Sequence, residues 1–171
     1  NDRVLKAMNR HYNREQYLAL VDYARSVVPD ISFTSDVIVG FPGETREEFE
    51  DTLSLVKEVG FTSLFTFIFS PRKGTPAEKM EDPIPMKTKT AWFQELSALQ
   101  VEVSAERLAK LVGTEQRALL ETAEDGYVEA RLASNSVVRV QADPTLVGRY
   151  ATIRIDDARS WIMHGTVLSI E

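Results

Sequence analysis

The feature that most constrains this sequence is a β-branched apolar run that stops at a Gly-Pro-Gly turn and leads at once into a helix. Residues 37–39 (Val-Ile-Val) favour a strand covered on both faces, and Gly40-Phe41-Pro42-Gly43 follows. The two glycines permit backbone conformations that a side chain would block. Thr45 and Glu48 form a capping box, which predicts that a helix begins there. Such a junction places backbone N–H groups at the carboxyl end of a strand, where α/β folds bind ligands.

The spacing around this turn leaves its function open. It matches neither the dinucleotide fingerprint nor the phosphate-binding P-loop, so spacing alone favours an ordinary turn that binds nothing. Asp36 lies inside the same predicted strand, and a lone buried carboxylate is costly unless it is paired or hydrogen-bonded. Asp36 therefore either faces a ligand cavity or bonds to a neighbouring arginine or to the backbone.

The first half of the chain has the pattern helix, strand, helix, strand. Strands are predicted over 31–39 and 64–69, on either side of the helix that begins at Thr45, which is a βαβ crossover with parallel strands. A helix capped by Asn13 precedes them, with an apolar stripe of Tyr17, Leu20, Val21, Ala24 and Val28. Two strands make neither a closed barrel nor a stable open sheet. We therefore expect further strands outside this sequence and an exposed apolar strand edge within it.

A change of pattern after Gly113 marks a second domain. A long helix that begins near Met86 ends there, and five short strands follow, separated by turn signals such as Asp125-Gly126. This pattern predicts a small OB-like β-barrel. The expected fold class is α/β, with domains over 1–111 and 112–171.

Composition excludes several functions. The 171 residues include no cysteine and carry a net charge of −6, so the chain has no Cys-ligated cluster or zinc and no surface that is basic overall. No apolar run is long enough to span a membrane, and we expect a cytoplasmic protein. His11 and His164 lack metal-ligand spacing, and no nucleophile elbow is present. No catalytic or metal-binding residue is therefore assigned.

The loop Ser70-Pro71-Arg72-Lys73-Gly74 closes the second predicted strand. Parallel strands end at the same edge of a sheet, so this loop should lie beside the Gly40 turn. Arg72 and Lys73 are able to hold a carboxylate or a phosphate, although the residue types alone favour a solvated loop.

Arginines dominate the cations of the predicted barrel, which contains six of them, no lysine and nine acidic residues. Arginine suits bidentate contact with phosphate and stacking on bases. Strand alternation points Arg139 and Arg154 outward, because each lies between two apolar neighbours. We expect an RNA-binding face formed chiefly by Arg131, Arg139, Arg149 and Arg154, with Tyr127, Tyr150 and Trp161 beside them. The alternative is that these arginines pair with the domain's own acids.

Several ordered motifs resemble one family. They are Val4-Leu5-Lys6-Ala7-Met8-Asn9-Arg10, Asp36-Val37-Ile38-Val39-Gly40-Phe41-Pro42-Gly43-Glu44-Thr45, and Phe67-Ile68-Phe69-Ser70-Pro71-Arg72 with Gly74-Thr75-Pro76-Ala77. The sequence resembles the radical S-adenosylmethionine (SAM) methylthiotransferases, above all those that make 2-methylthio-N6-isopentenyladenosine in tRNA. Residues 113–171 resemble the TRAM domain of that family. The resemblance implies the C-terminal part of a partial (β/α) radical SAM barrel, followed by a TRAM β-barrel.

The resemblance also implies an activity for a longer protein. Such an enzyme would add a methylthio group to C2 of N6-isopentenyladenosine at position 37 of tRNA, using S-adenosylmethionine and [4Fe-4S] clusters. The family's Cys-x3-Cys-x2-Cys loop is absent here, so we expect no cofactor and no activity in this chain by itself. The TRAM-like domain would bind the tRNA anticodon stem-loop. The implied cofactor-binding residues are Asp36, Gly40, Pro42, Gly43, Ser70, Pro71 and Arg72.

Two other interpretations stay open at this point. One is a ribosomal-protein methylthiotransferase, which modifies an aspartate side chain. The other is a free-standing RNA-binding module in which the OB-like domain acts alone. A cysteine motif encoded upstream would separate an enzyme from a free-standing module, and the sequence leaves the oligomeric state open.

Overall fold

The computed structural model describes residues 1–159 and 162–171. They form two compact units, Asn1–Val103 and Ser104–Glu171, and the boundary falls inside the long helix Met86–Ala109. The sequence predicts this boundary near residue 111, where the helix ends. The difference arises because Leu108 packs into the core of the second unit. Within the described residues, no helix combines the length and the apolar character needed to cross a membrane.

The first unit contains a pair of parallel strands and the helices around them. Its elements are α1 (Asp2–Ala7), α2 (Arg14–Val27), β1 (Thr34–Val39), α3 (Arg46–Val59), β2 (Ser63–Ile68), a 3-10 turn at Pro76–Lys79 and most of α4 (Met86–Ala109). β1 and β2 run parallel, from Thr34 opposite Ser63 to Val39 opposite Ile68. The predicted βαβ crossover is therefore confirmed, although β1 begins at Thr34 rather than at Ile31.

Local sequence signals fix the ends of the helices. Thr45 and Glu48 form the reciprocal capping box at the start of α3, and Gly60 ends this helix in the left-handed conformation. Asn13 and Gln16 form the same motif at the start of α2. Both predicted capping boxes are thus present, because each depends only on residues three apart in the sequence.

The core of the first unit lies between one face of the sheet and the helices. Phe49 and Trp92 stack with ring centroids 5.0 Å apart and planes 4° from parallel, which ties α3 to α4. Full burial of a large apolar side chain contributes about 1.5–3 kcal/mol. The other buried apolar residues of this core are Val21, Val39, Val56, Val59, Phe61, Leu96 and Val103.

The opposite face of the two-stranded sheet is open. Ile38, Phe65 and Phe67 are 37%, 60% and 53% exposed, because the helices of this unit cover only one face. The prediction of a strand covered on both faces is therefore wrong for this chain. The prediction of exposed apolar surface in the first half is confirmed, and within the described residues each strand of this sheet has one neighbour only.

The apolar stripe of α2 is only partly buried. Val21 is buried, but Leu20 and Val28 are 63% and 49% exposed. The predicted stripe is therefore not buried along its whole length, because α2 carries more apolar surface than the neighbouring elements of this unit cover.

The second unit is a closed five-stranded barrel. Its strands are β3 (Glu115–Glu124), β4 (Tyr127–Leu132), β5 (Val137–Val140), β6 (Tyr150–Arg159) and β7 (Ile162–Ile170). They are hydrogen-bonded in the order β3-β4-β5-β7-β6, and β6 pairs back to β3. The β5–β7 pairing is parallel and the others are antiparallel. The predicted small β-barrel is therefore confirmed.

Gly165 on β7 lies where two strands of this barrel approach each other closely. A Cβ at this position would lie 2.5 Å from the Arg154 carbonyl oxygen and 2.7 Å from Ile153 Cγ2. The strand backbone therefore approaches β6 more closely than any side chain permits.

We expect the open face of the first unit to cause self-association. Phe65→Glu places a charge where this face is most exposed, so the variant should stay monomeric at concentrations where the wild-type chain associates. Light scattering over a concentration series measures the effect. Val147→Glu, at a position 40% exposed in the second unit, is the control and should leave association unchanged. A wild-type chain that stays monomeric at the highest concentration would contradict this prediction.

Candidate functional site

The turn after β1 joins that strand to α3 through an internally bonded loop. Gly40 and Gly43 have φ angles of +71° and +75°, which L side chains rarely adopt. The Glu44 N–H donates to the Phe41 carbonyl at 2.9 Å. Arg3 Nη2 donates to the Gly43 carbonyl at 2.7 Å. The backbone path of this turn therefore requires both glycines.

A buried carboxylate closes the turn. Glu44 is 6% exposed, and its Oε2 accepts hydrogen bonds from the Gly40 N–H at 2.7 Å and the Phe41 N–H at 3.2 Å. Burial raises the pKa of Glu44, and the two N–H donors oppose that shift only in part. These two backbone donors are thus used within the protein.

Lys89 from α4 packs on the same turn. Its side chain is 2% exposed, and a Cβ at Gly40 would lie 2.7 Å from Lys89 Cγ. The Lys89 ammonium is ion-paired with Asp82 and lies 5.4 Å from the centroid of the Phe69 ring. Glu44 therefore holds the turn by accepting its Gly40 and Phe41 N–H groups, and Lys89 holds it by packing against Gly40.

Reasoning from the sequence missed both of these residues. Glu44 directly precedes the N-cap Thr45, a place where a carboxylate is usually explained by the helix dipole. Lys89 lies three residues before Trp92 and seven before Leu96, which puts it on the buried face of α4. That helical position was the available signal for Lys89.

A cavity of about 760 Å³ in the first unit brings together part of the predicted site. Asp36, Ser70 and Arg72 line it, together with Phe67 and Phe69. Three of the seven predicted cofactor residues therefore share one cavity.

The other four predicted cofactor residues lie outside this lining, although parallel pairing puts them at the same strand ends. The Phe69 N–H donates to the Val39 carbonyl at 2.8 Å. The rings of Phe41 and Phe69 meet edge to face with centroids 5.1 Å apart. These contacts place the turn beside the loop that follows β2. The four residues are Gly40, Pro42, Gly43 and Pro71.

Asp36 is exposed on the open face of the sheet, opposite Phe65 in register. The sequence singled it out on the assumption that its strand is buried, and the helices leave this face uncovered. The cost of burying a lone carboxylate therefore does not arise here. Asp36 shares the cavity with Arg10 and Arg72 instead.

All four predicted RNA-binding arginines have partners within the barrel. The contacts are Arg131–Glu121 at 2.7 Å, Arg139–Glu129 at 3.4 Å, Arg154–Asp156 at 2.7 Å, and Arg149 Nε to the Glu171 carbonyl at 2.8 Å. Pairing with the domain's own acids, the alternative named from the sequence, is the arrangement of three of them. Exposed pairs of this kind contribute about 0–1 kcal/mol, so a phosphate is able to compete with them.

The aromatic residues predicted beside these arginines have other neighbours. The Arg117 guanidinium carbon lies 3.8 Å from the Tyr150 ring centroid, and Tyr127 meets His164 with ring centroids 6.4 Å apart. Trp161 lies outside the described residues. The barrel surface thus carries a contact between a guanidinium and an aromatic ring, Arg117 with Tyr150.

Comparison with known proteins finds a family match at the beginning of the first unit. Residues 1–56 match the model of the radical SAM superfamily. The matched segment contains β1, the Gly40 turn and most of α3.

Curated relatives extend the match over nearly the whole chain. The tRNA-2-methylthio-N(6)-dimethylallyladenosine synthase of Acetivibrio thermocellus is 40% identical over 169 residues, which are 97% of this chain and 35% of that protein. The synthase of the same name from Geobacillus thermodenitrificans is 41% identical over 165 residues, 95% of this chain and 32% of that protein. The synthase of Halorhodospira halophila is 40% identical over 175 residues, 100% of this chain and 37% of that protein. The chain thus spans about a third of the length of these relatives. The resemblance predicted from the sequence is confirmed: the beginning of the chain matches the radical SAM superfamily, and nearly the whole chain is similar to these synthases.

The variants Gly40→Ala and Gly43→Ala should separate the cost of a side chain at positive φ from the cost of a steric clash. Both substitutions place a side chain at positive φ, which costs about 1–2 kcal/mol, but nothing lies within 4 Å of a Cβ added at Gly43. At Gly40 the Cβ also collides with Lys89, and overpacking a buried site adds about 1–3 kcal/mol. Denaturant unfolding should therefore rank Gly40→Ala below Gly43→Ala in stability. Equal losses would argue against the contact between Gly40 and Lys89.

The variant Glu44→Gln tests the burial of this carboxylate through the pH dependence of stability. Because burial raises the pKa of Glu44, the folded chain keeps that proton to a higher pH than the unfolded chain does. Ionisation of Glu44 therefore destabilises the folded chain as the pH rises through and above the ordinary pKa range of glutamate. The stability of the wild-type chain should fall relative to the Gln variant over that range. Urea unfolding at a series of pH values measures the difference.

Glu47→Gln is the control for this experiment. Hydrogen bonds from its own backbone N–H and from Thr45 lower the pKa of Glu47. The wild-type chain should therefore gain stability relative to this variant as the pH rises through the glutamate range. A Glu44 profile with the same sign as the Glu47 profile would refute the burial argument.

Proposed function

We propose that this chain is part of a tRNA methylthiotransferase. In the longer protein, the reaction adds a methylthio group to C2 of N6-isopentenyladenosine at position 37 of tRNA. The observation that carries the proposal is the 40% identity, over 97% of this chain, to a protein named tRNA-2-methylthio-N(6)-dimethylallyladenosine synthase. A ribosomal-protein methylthiotransferase is not favoured, because the relatives reported above carry the tRNA name.

The first unit is proposed to be part of a partial (β/α) radical SAM barrel. The parallel strands β1 and β2 carry helices on one face, and Ile38, Phe65 and Phe67 leave the other face apolar and exposed. The wall of a (β/α) barrel has this arrangement, with helices outside and strand side chains toward the interior. The open face would line that interior in the longer protein.

Asp36, Ser70 and Arg72 are proposed to hold S-adenosylmethionine. They line one cavity, and their chemistry suits the molecule, since a guanidinium binds its carboxylate and a carboxylate binds its ammonium. The exposed ring of Phe67 offers an apolar surface for the adenine. When bound, S-adenosylmethionine supplies the methyl group and the radical chemistry of the family.

The Gly40 turn and Pro71 are proposed to border the same cofactor. Gly40, Pro42 and Gly43 form one end of the strand pair, and Pro42 is buried. Because Glu44 already accepts the first two N–H groups of the turn, the turn would act as a rigid edge beside the cofactor.

Iron–sulfur ligation does not fit this chain. Clusters are held by cysteine thiolates, and the sequence contains none. Among residues 1–159 and 162–171, no three His, Cys, Asp or Glu side chains are placed to hold a metal ion. The [4Fe-4S] clusters of the proposed enzyme would be bound by other parts of the longer protein, and no step through them is assigned here.

The second unit is proposed to be a TRAM-like barrel that binds the tRNA anticodon stem-loop. Its outward arginines would exchange acidic partners for phosphates, which exposed ion pairs allow at small cost. The supporting observation is the contact of the Arg117 guanidinium with the Tyr150 ring on the barrel surface. The proposed contacts are Arg131, Arg139, Arg149 and Arg154.

A bacterial strain without tRNA methylthiolation tests the proposed function. A gene for the longer protein should restore 2-methylthio-N6-isopentenyladenosine, as measured by nucleoside mass spectrometry of total tRNA. Residues 1–171 alone should restore none and form no 5′-deoxyadenosine after iron–sulfur reconstitution, because they supply no cluster ligand. A longer protein that leaves the tRNA unmodified would overturn the proposal.

The proposed role of Arg72 can be tested in the same strain. Arg72→Ala in the longer protein should lower the modified fraction by about tenfold, the effect of losing a hydrogen bond to a charged group. Lys73→Ala is the matched control, because Lys73 is a neighbouring exposed cation outside the cavity lining.

The proposed RNA face makes a separate prediction. Arg139→Ala and Arg154→Ala in the longer protein should weaken binding to an anticodon stem-loop. Each lost phosphate contact should lower the log–log salt slope by about 0.7–0.9. Arg46→Ala removes an exposed arginine of the first unit that pairs with Glu50 and Glu95, and it should change neither quantity. Unchanged affinity and slope in the two barrel variants would rule out this face.

A further inference from the structure

Lys89 carries a buried charge that the proposed function does not use. Its side chain is 2% exposed, and its ammonium pairs with Asp82, which lies before the start of α4. Removing an ammonium from water is costly unless a partner compensates. An apolar side chain of similar length would fill the same space without that cost. The charge therefore requires a reason other than packing.

This one side chain contacts three separate segments. Its Cγ and Cδ lie 2.7 and 2.8 Å from the position of a Cβ on Gly40, so its methylenes use the space that glycine leaves. Its ammonium lies 5.4 Å from the centroid of the ring of Phe69, the residue that directly follows β2. The same ammonium pairs with Asp82. Lys89 therefore joins the turn after β1, the end of β2 and the segment before α4.

The segment between β2 and α4 has mostly local bonds of its own. In residues 70–85, which we call the strand-end loop, the Gly74 N–H donates to Glu78 Oε2 at 2.7 Å and the Thr75 hydroxyl donates to the Arg72 carbonyl at 2.8 Å. No residue of its 3-10 turn is buried, and Ile84 packs on the core. The ion pair with Lys89 is thus a polar attachment of this loop to α4.

We infer that Lys89 is a positioning residue that fixes the strand-end loop and the Gly40 turn relative to each other. The ion pair with Asp82 holds the loop, and the methylenes over Gly40 hold the turn. The inference rests on the proposed function only for the identity of the ligand that these two segments border. If Lys89 only filled space, methionine would replace it without consequence for the loop.

Two substitutions in the 171-residue chain remove the ion pair from either side. Lys89→Met keeps an unbranched apolar stem over Gly40, and Asp82→Asn keeps a polar side chain in a segment outside the helices. Lys87→Met, at an exposed position of the same helix, is the matched control. Lys89→Ala removes both the charge and the stem.

The first readout is the initial rate of tryptic cleavage after Arg72, Lys73 and Lys79, mapped by mass spectrometry. Cleavage at Arg149, in the barrel, is the internal reference. Lys89→Met and Asp82→Asn should each accelerate cleavage in the loop about tenfold, because cleavage follows the population of the open segment. The double variant should cleave no faster than Asp82→Asn, since Lys89→Met also removes the buried ammonium that Asp82→Asn leaves without its partner. Lys87→Met should have no effect.

The second readout is hydrogen exchange of the Gly40 amide, followed by NMR. Exchange of this amide should stay slow in Lys89→Met and become faster in Lys89→Ala, because only the alanine variant uncovers the turn. If Lys89 only filled space, the loop would be cleaved in Lys89→Met and Asp82→Asn at the wild-type rate. That result would overturn the inference. So would an equal acceleration at Arg149.

Asp82→Asn decides the question even if the Lys89 variants do not fold, because Asp82 lies outside the helices and its side chain is 32% exposed. None of these measurements needs S-adenosylmethionine, a cluster or tRNA. A failed inference about Lys89 and a failed proposal of methylthiotransferase function are therefore distinguishable.

Discussion

The parallel pairing of β1 with β2 is the interaction on which the first unit depends. Its register ends with Val39 opposite Ile68, and the Phe69 N–H continues the ladder to the Val39 carbonyl at 2.8 Å. Both strands therefore stop at one edge, which puts the Gly40 turn beside the loop that begins at Ser70. The helices bury one face of this pair and leave the other open. A shift of one residue would exchange the two faces and remove Asp36 from the cavity.

Charges serve two different purposes in the two units. Glu44 and Lys89 are buried, and each has partners that offset its loss of hydration. Such groups fix one backbone arrangement, because any other arrangement would leave them without those partners. Barrel pairs such as Arg139–Glu129 and Arg154–Asp156 are exposed and weak. They neutralise charge locally while leaving each guanidinium able to change partners.

Features set by neighbours in the sequence were predictable here, and those set by distant or missing neighbours were not. The capping box at Thr45, the parallel strands and the closed barrel all follow from short patterns. The exposure of Ile38 does not, because the residues of the strand cannot show that only one face is covered. The pairing of Lys89 with Asp82 and the role of Glu44 depend on how α4 and the Gly40 turn meet. Asp36 and Arg72 were singled out from their places in the sequence, the family resemblance named them with Ser70 as cofactor residues, and the fold brings these three to one cavity.

Gly165 shows how closely two strands of the second unit approach each other. The contacts of 2.5 Å and 2.7 Å that a Cβ would make there leave no room for a methyl group between β7 and β6. The close approach of the two strands at this level therefore depends on the absence of a side chain at Gly165. Sequence drift at the other core positions can be absorbed by exchanging larger and smaller apolar residues. At this position the only adjustment is a wider separation of the two strands, which would break their ladder.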